Sequence, residues 1–284
     1  MKNNHRHKAC PFCMSTEIRK TGNITYKSPV EFSTHLVDIE FPPELWKCRN
    51  CKSWFIQNIV PEETALQLYA QGSSSERWSR LPYEERKPVE VIKALSGLFT
   101  AKTSVLDIGC YTGELLDFAK SKGCITAGID LSISSRDILE SKGHKYYSCL
   151  ADTGGGRFDV ITAFDLIEHL YDVHSFLKYC SDRLKKNGVL VISTGDISSL
   201  SARISQEKWW YIRPPEHILF PSTIFFQNYS GLVIKKRFRT YAAKGYRQSV
   251  HRILSGFVKG ILRSEYSGLP SLGADHVLLV LAPL

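Results

Sequence analysis

No long apolar run occurs in the 284 residues: the longest, Val277 to Ala282, is far short of the roughly 20 residues that a membrane span needs. The start, MKNNHRHK, is basic and has no apolar h-region behind it, so no secretory leader is read there and a cytoplasmic protein is expected. Cysteine is too sparse for the disulfide scaffold of a short secreted chain, at 8 residues. Cys110, Cys124, Cys149 and Cys180 are scattered through expected core elements and read as small buried hydrophobes. No internal repeat and no low-complexity tract is present, which excludes solenoids and disordered arrays. Acidic residues are missing altogether between Lys235 and Arg263.

The composition, 43% hydrophobic and 11% aromatic, is enough for one substantial core plus a small accessory unit. The accessory unit is expected at residues 1–70. There CPFC (Cys10, Cys13) and CRNC (Cys48, Cys51) are two CxxC pairs, each tight enough to present two thiolates to one tetrahedral ion. Four thiolates close the coordination sphere, so the zinc is expected to be structural. A redox dithiol would instead open a helix within a βαβ unit. The alternating apolar residues of ITYKSPVEFSTHLVDIEF, between the pairs, predict hairpin strands that lengthen a zinc ribbon. QGSSSERWSRLP then loses periodicity, and residues 71–82 read as a linker to a domain spanning 83–284.

VLDIGCYTGELL, residues 105–116, reads as a buried strand, a glycine turn and a helix. A dinucleotide loop would carry a further glycine between Gly109 and Gly113, and Asp107 stands where phosphate would approach. A carboxylate there repels phosphate and suits a cation. S-adenosylmethionine is an adenosyl ligand with positive charge and no phosphate. Strands and helices then alternate: strand 104–109, helix 113–122, strand 125–130, helix 134–142, strands 145–150 and 158–164, helix 173–186, strand 189–194. This predicts an α/β fold with a Rossmann-like sheet and helices on both faces, behind the small β ribbon. A helix over YEERKPVEVIKALSGLF is expected to break at Pro88. Asp130 ends the second strand, 21 residues beyond Gly109, where an acid in doubly wound folds receives the ribose hydroxyls. Asp152, expected at the end of the third strand, is a candidate for the adenine amino group.

From about Tyr83 onward the chain resembles the class I S-adenosylmethionine-dependent methyltransferases, in the branch of ubiquinone-biosynthesis and glycan enzymes. The residues that carry the likeness are VLDIGCYTG, GID and FDVITAFDLIEHLYDVHSFLKYCSDRLKKNGVLVIST. The resemblance implies that Asp107, Gly109 and Gly113 form the methionine-end loop, that Asp130 is the ribose acid and that Phe164 neighbours the ligand. Cys110, Tyr111 and Leu131, within and beside these motifs, are further donor-binding candidates. The chain departs from the family pattern at Tyr111, where the family has its middle glycine. An N-terminal zinc ribbon also resembles methyltransferases of sugar and surface-polysaccharide biosynthesis.

Methyl transfer to a hydroxyl needs alignment and a base, and histidine is the natural base near neutral pH. His169 in IEHL and His217 in RPPEHILF are the candidates, each expected at the carboxyl edge of the sheet. Trp209, Trp210 and Tyr211 read either as the floor of an acceptor pocket or as the core of a lid helix. Nine Lys and Arg lie between 235 and 263, within a formal net charge of +9, and imply an acidic partner. Residues 247–263 form a basic amphipathic pattern that suits either the core or a peripheral contact with an anionic membrane. The expectation is O-methylation of a small molecule or glycan precursor. RNA methylation ranks second, for want of interleaved aromatic and basic residues or an NPPY-like motif. A non-catalytic zinc interaction protein ranks third, since a scaffold needs neither the loop nor the ribose acid.

Overall fold

The computed structural model describes residues 5–26, 28–72, 83–242, 269 and 271–284. Beyond Gln71 and Gly72, the linker expected over 71–82 lies outside the described residues, as does the amphipathic helix expected over 247–263.

The N-terminal part contains β1 (Ile18–Asn23), β2 (Val30–Phe32), β3 (His35–Val37), β4 (Glu44–Cys48), β5 (Trp54–Gln57) and α1 (Glu62–Gln71). β2 and β3 pair as the hairpin expected between the cysteine pairs, and β1, β4 and β5 form a meander. Its two cysteine knuckles repeat one another. Cys10 N–H donates to Ser15 O at 2.9 Å and Cys48 N–H to Ser53 O at 3.0 Å. The residue after each second cysteine, Met14 and Lys52, takes a left-handed conformation with φ of 57° and 63°. That reversal turns both thiols of each pair inward.

The helix over 83–99 breaks as expected into α2 (Tyr83–Arg86) and α3 (Val89–Ser96), because Pro88 has no N–H to continue the first segment and stands as N-cap of the second. The alternating part follows as β6 (Ser104–Ile108), α4 (Glu114–Ser121), β7 (Ile125–Ile129), α5 (Ile133–Ser141), β8 (Lys145–Tyr147), β9 (Phe158–Phe164), α6 (Val173–Arg183) and β10 (Leu184–Gly195). Then come α7 (Leu200–Ser205), β11 (Leu219–Phe220), α8 (Thr223–Gln227), β12 (Leu232–Thr240) and β13 (His276–Pro283). The main sheet has the order β12-β13-β10-β9-β6-β7-β8. It is parallel from β10 to β8, and β13 runs antiparallel to both its neighbours.

Alternate residues of the central strands feed opposite cores, as the two-residue period of a strand requires. Leu106, Ile161 and Leu190 pack with Phe176 and Leu177 of α6, whereas Val105, Val160 and Val191 pack with Leu95 of α3 and Leu116 of α4. Helices therefore cover both faces. Strand order reverses at β6 and β9, and in open α/β sheets the crevice beyond the carboxyl ends at such a point is where ligands bind.

Three expected boundaries move by three residues or more: the end of the third strand, the end of the helix before β10, and the start of β10 itself, at Leu184 rather than 189. The third strand stops at Tyr147 rather than 150, because the Asp152 carboxylate accepts from Ser148 N–H (3.1 Å) and Oγ (2.6 Å) and draws Leu150–Thr153 into a 3-10 turn. The helix expected to 186 stops at Arg183, where Leu184 turns extended and joins β10 opposite Phe158.

β11 does not join the main sheet. It pairs with β5 as the fourth strand of the N-terminal meander, and Ile56 N–H donates to Ile218 O at 2.8 Å. Phe12 meets Phe225 at 5.1 Å between ring centroids, and Ser222 at the start of α8 donates to Cys51 O. The cysteine knuckles are thus built onto the segment that carries His217.

Candidate active site

The turn after β6 is made of left-handed residues: φ is 76° at Gly109, 49° at Tyr111 and 79° at Gly113. Gly113 needs its missing Cβ, which would lie 2.5 Å from Leu139 Cδ2. Tyr111 adopts the conformation glycine would have supplied, and its N–H donates to Asp130 Oδ2 at 2.9 Å. Ser132 N–H donates to Asp130 Oδ1 at 2.9 Å. The acid is thereby fixed against the loop at the end of β7. Burial raises its pKa, and these backbone donors oppose that shift.

Asp107 is buried and accepts Thr162 Oγ1–H at 2.6 Å. Burial pushes its pKa up to about 7; Thr162 and Lys87 oppose the rise, while Glu114 and Asp130 add to it. A cation brought beside this group would favour its carboxylate form.

Two adjoining cavities meet at this loop. One, of about 170 Å³, is lined by Gly109, Tyr111, Asp130, Leu131, Ser132 and Tyr69 among others. The larger, of about 520 Å³, is lined by Asp107, Gly109, Cys110, Tyr111, Phe164 and the histidine cluster. Asp165, His169 and Glu216 belong to both linings.

The cluster joins segments far apart in the chain. His169 Nδ1 is 2.8 Å from the Tyr69 hydroxyl, and the His169 and His217 rings are perpendicular with centroids 4.7 Å apart. His217 Nδ1 donates to Tyr211 O at 2.6 Å, which leaves Nε2 as the unprotonated nitrogen. Burial, then the charges of His169, Arg213 and His276, push its pKa well below the ordinary value, with the Tyr211 carbonyl opposing. His169 is lowered too, mainly by burial. Glu168, fully buried, accepts from Thr194 Oγ1 at 3.0 Å and from the Tyr211 hydroxyl; burial and then Asp165 push it up to about 8. Ligand atoms of Glu168, His169 and His217 converge within 4.8 Å, but each of these residues already has a protein partner.

Of the residues singled out from the sequence, Gly113 and Asp152 line neither cavity. Gly113 serves the turn, and exposed Asp152 caps its own segment. Trp209 and Trp210 divide between the two roles weighed for them. Trp209 is fully buried core, and Trp210 lines the larger cavity, though neither lies in a helix. Tyr69, Asp165, Glu216 and His276, none of them singled out above as a site residue, also line the cavities. His276 had a signal, as the histidine opening the last apolar strand, HVLLVLA, after an acid.

The cysteine thiols come together as expected. Cys10 Sγ is 3.6 Å from Cys51 Sγ and Cys13 Sγ is 3.6 Å from Cys48 Sγ, with all four within 4.8 Å of one another. Thiolates around a tetrahedral ion with Zn–S of about 2.3 Å lie about 3.8 Å apart, so the set fits zinc.

A doubly wound sheet whose glycine turn and neighbouring acid face a cavity at its carboxyl edge defines an adenosyl-ligand-binding α/β protein. The chain belongs to the methyltransferase domain family, which matches residues 78–227. It is 32% identical over 157 residues to the ubiquinone biosynthesis O-methyltransferase of Idiomarina loihiensis, covering 49% of this chain and 62% of that protein. It is 30% identical over 153 residues to the protein of the same name from Coxiella burnetii, covering 49% and 63%. The chain thus spans about three fifths of the length of these curated relatives. Among solved structures, coclaurine N-methyltransferase bound to N-methylheliamine and SAH superposes with a TM-score of 0.48 at 15% identity, over 78% of this chain and 79% of that one. An S-adenosylmethionine-dependent methyltransferase from Mesorhizobium loti gives 0.46 at 15% identity, over 68% and 96%. Among the described residues no helix is long and apolar enough to cross a membrane.

Proposed function

We propose that the chain transfers the methyl group of S-adenosylmethionine to a hydroxyl oxygen of a small molecule or of a sugar or glycan precursor. The observation that carries this reading is the pair of buried acids, Asp107 and Asp130, on either side of one glycine turn and facing joined cavities. Asp130 has lone pairs left for two ribose hydroxyls once the loop N–H groups are satisfied, and Asp107 faces the cationic end. When bound, the donor supplies an electrophilic methyl group whose S–C bonding pair stays on sulfur. The relatives' name, O-methyltransferase, supports oxygen as the acceptor atom. In this reading residues 1–70 form a ribbon around a structural zinc held by Cys10, Cys13, Cys48 and Cys51, 71–82 a linker, and 83–284 the methyltransferase domain.

The chain's own groups hold and orient the acceptor in the larger cavity, among Trp210, Tyr211 and the histidines. The experiment is a screen with methyl-labelled donor against phenols, catechols, monosaccharides and nucleotide sugars. Label in an ether-linked product is expected. Label in RNA alone would contradict a small-molecule acceptor.

Donor affinity should depend on pH through Asp107. Free, its carboxyl is half protonated near pH 7; an ammonium beside it favours the carboxylate, so the complex binds fewer protons than the free protein. Affinity therefore rises with pH up to about 7 and falls by roughly tenfold per unit below it. Calorimetry between about pH 5.5 and 8 tests this, with proton release on binding near pH 7. Asp107→Asn should flatten the profile; a flat wild-type profile would contradict it.

A further inference from the structure

We infer that His276, oriented by Asp275, is the group that receives the proton from the acceptor's hydroxyl. The inference rests on the methyltransferase reading above and assigns a residue that no family motif marks. β13 runs against the parallel strands, so it begins where they end. Its first residue, His276, pairs with Gly195 at the carboxyl end of β10 and so arrives at the ligand edge.

The ring is held as a base must be held. His276 Nδ1 lies 3.3 Å from Asp275 Oδ1. Asp275 is fully buried; its Oδ2 accepts Trp210 Nε1–H at 2.5 Å and Trp209 Nε1–H at 3.3 Å, and its backbone carbonyl accepts Asp196 N–H at 2.7 Å. Burial alone would raise the Asp275 pKa, but His276 and the two indoles outweigh it and hold the group as a carboxylate. A carboxylate on Nδ1 selects the Nδ1–H tautomer and leaves the Nε2 lone pair bare. Nε2 is buried without a hydrogen-bond partner, in a residue only 1% exposed that lines the 520 Å³ cavity. Among the described residues the Nε2 atoms of His7, His35 and His174 are buried unpaired as well, but of these histidines only His276 lines the cavity, where an acceptor's hydroxyl can supply the missing partner.

The neighbouring histidines are placed differently. His217 rests its Nδ1 on a neutral carbonyl and faces His169, Arg213 and His276. His169 is hydrogen-bonded to Tyr69. His276 has a carboxylate on each side, Asp275 Oδ1 at 3.3 Å from Nδ1 and Asp165 Oδ1 at 3.8 Å from Nε2. In the transfer the acceptor's O–H bond breaks toward Nε2. The oxygen's freed pair forms the bond to the incoming methyl carbon, and the one positive charge brought in by the sulfonium ends on the imidazolium, which later gives its proton to solvent.

Two measurements on the full chain test this. In ¹⁵N-histidine spectra with S-adenosylhomocysteine bound, His276 should show a protonated Nδ1 and a bare Nε2, and added phenol should shift the Nε2 resonance. With a hydroxyl compound that the screen shows to be methylated, His276→Gln should lower kcat by roughly 100- to 10,000-fold while S-adenosylhomocysteine affinity stays within about twofold. Asp275→Asn should move the His276 proton to Nε2 and lower kcat in parallel, whereas His217→Gln should cost less. A wild-type His276 protonated at Nε2, an Nε2 resonance indifferent to phenol, or a His276→Gln enzyme within threefold of wild type would overturn the assignment. If no hydroxyl compound accepts methyl, the functional reading fails and takes the base with it, although a bare Nε2 that answers to phenol would still mark a hydroxyl-binding site.

Discussion

Asp130→Ala is expected to weaken S-adenosylhomocysteine binding by about two orders of magnitude, about 2.7 kcal/mol. Hydrogen bonds to a charged group contribute roughly 1.5–3 kcal/mol, and the ribose offers two hydroxyls to this carboxylate. The loss has a second source, because the same oxygens hold the N–H groups of Tyr111 and Ser132 at 2.9 Å each. Without them Tyr111 has less to keep it in the left-handed conformation that its side chain disfavours. Asp130→Asn retains one acceptor oxygen and should fall between wild type and alanine. Titration calorimetry reads all three; an alanine variant within threefold of wild type would remove Asp130 from the donor site.

Loss of zinc should act on the whole molecule. Elemental analysis is expected to give about one zinc per chain, and Cys48→Ser should lose the ion and the order of the N-terminal meander. Structural zinc contributes roughly 10–16 kcal/mol in small zinc-finger peptides, comparable to the 5–15 kcal/mol that stabilises a typical domain. The damage should not stop at the knuckles. β5 holds β11, Ser222 is hydrogen-bonded to Cys51 and Ser53, and Ser33 N–H donates to Glu216 Oε1 at 2.8 Å in the wall of both cavities. Amide exchange is therefore expected to quicken around His217 as well as around the cysteines. Iron in place of zinc, a disulfide, or a Cys48→Ser protein that melts like wild type would contradict the structural ion.

The glycine turn, the acid that closes the second strand and the central strands were legible because their causes are local. A run of Val, Leu and Ile ending in Asp107 and Gly109 can hardly be anything but a buried strand leaving the core. The two cysteine pairs were legible for the same reason, since a CxxC knuckle closes within its own few residues. Tyr69 was not legible: it meets His169 across 100 residues of chain, and nothing in its own helix announces the contact. β11 is only two residues long, and it belongs to the N-terminal sheet because β5 needed a partner, a fact that no local pattern contains. The end of the third strand was not legible, because an acid after a strand does not announce that it will fold back on Ser148 as Asp152 does. His276 was hidden by the antiparallel return of the last strand, which brings its first residue to an edge that parallel strands reach with their last.

The most direct test of S-adenosylmethionine as the ligand of the joined cavities is calorimetric titration of the full-length protein with S-adenosylhomocysteine, set beside the same titration with a nicotinamide dinucleotide. Saturable binding of about one S-adenosylhomocysteine per chain in the micromolar range, with no heat from the dinucleotide, is the expected result. Tighter binding of the dinucleotide, or no binding of S-adenosylhomocysteine, would contradict the assignment of Asp107 and Asp130 to a cationic adenosyl donor.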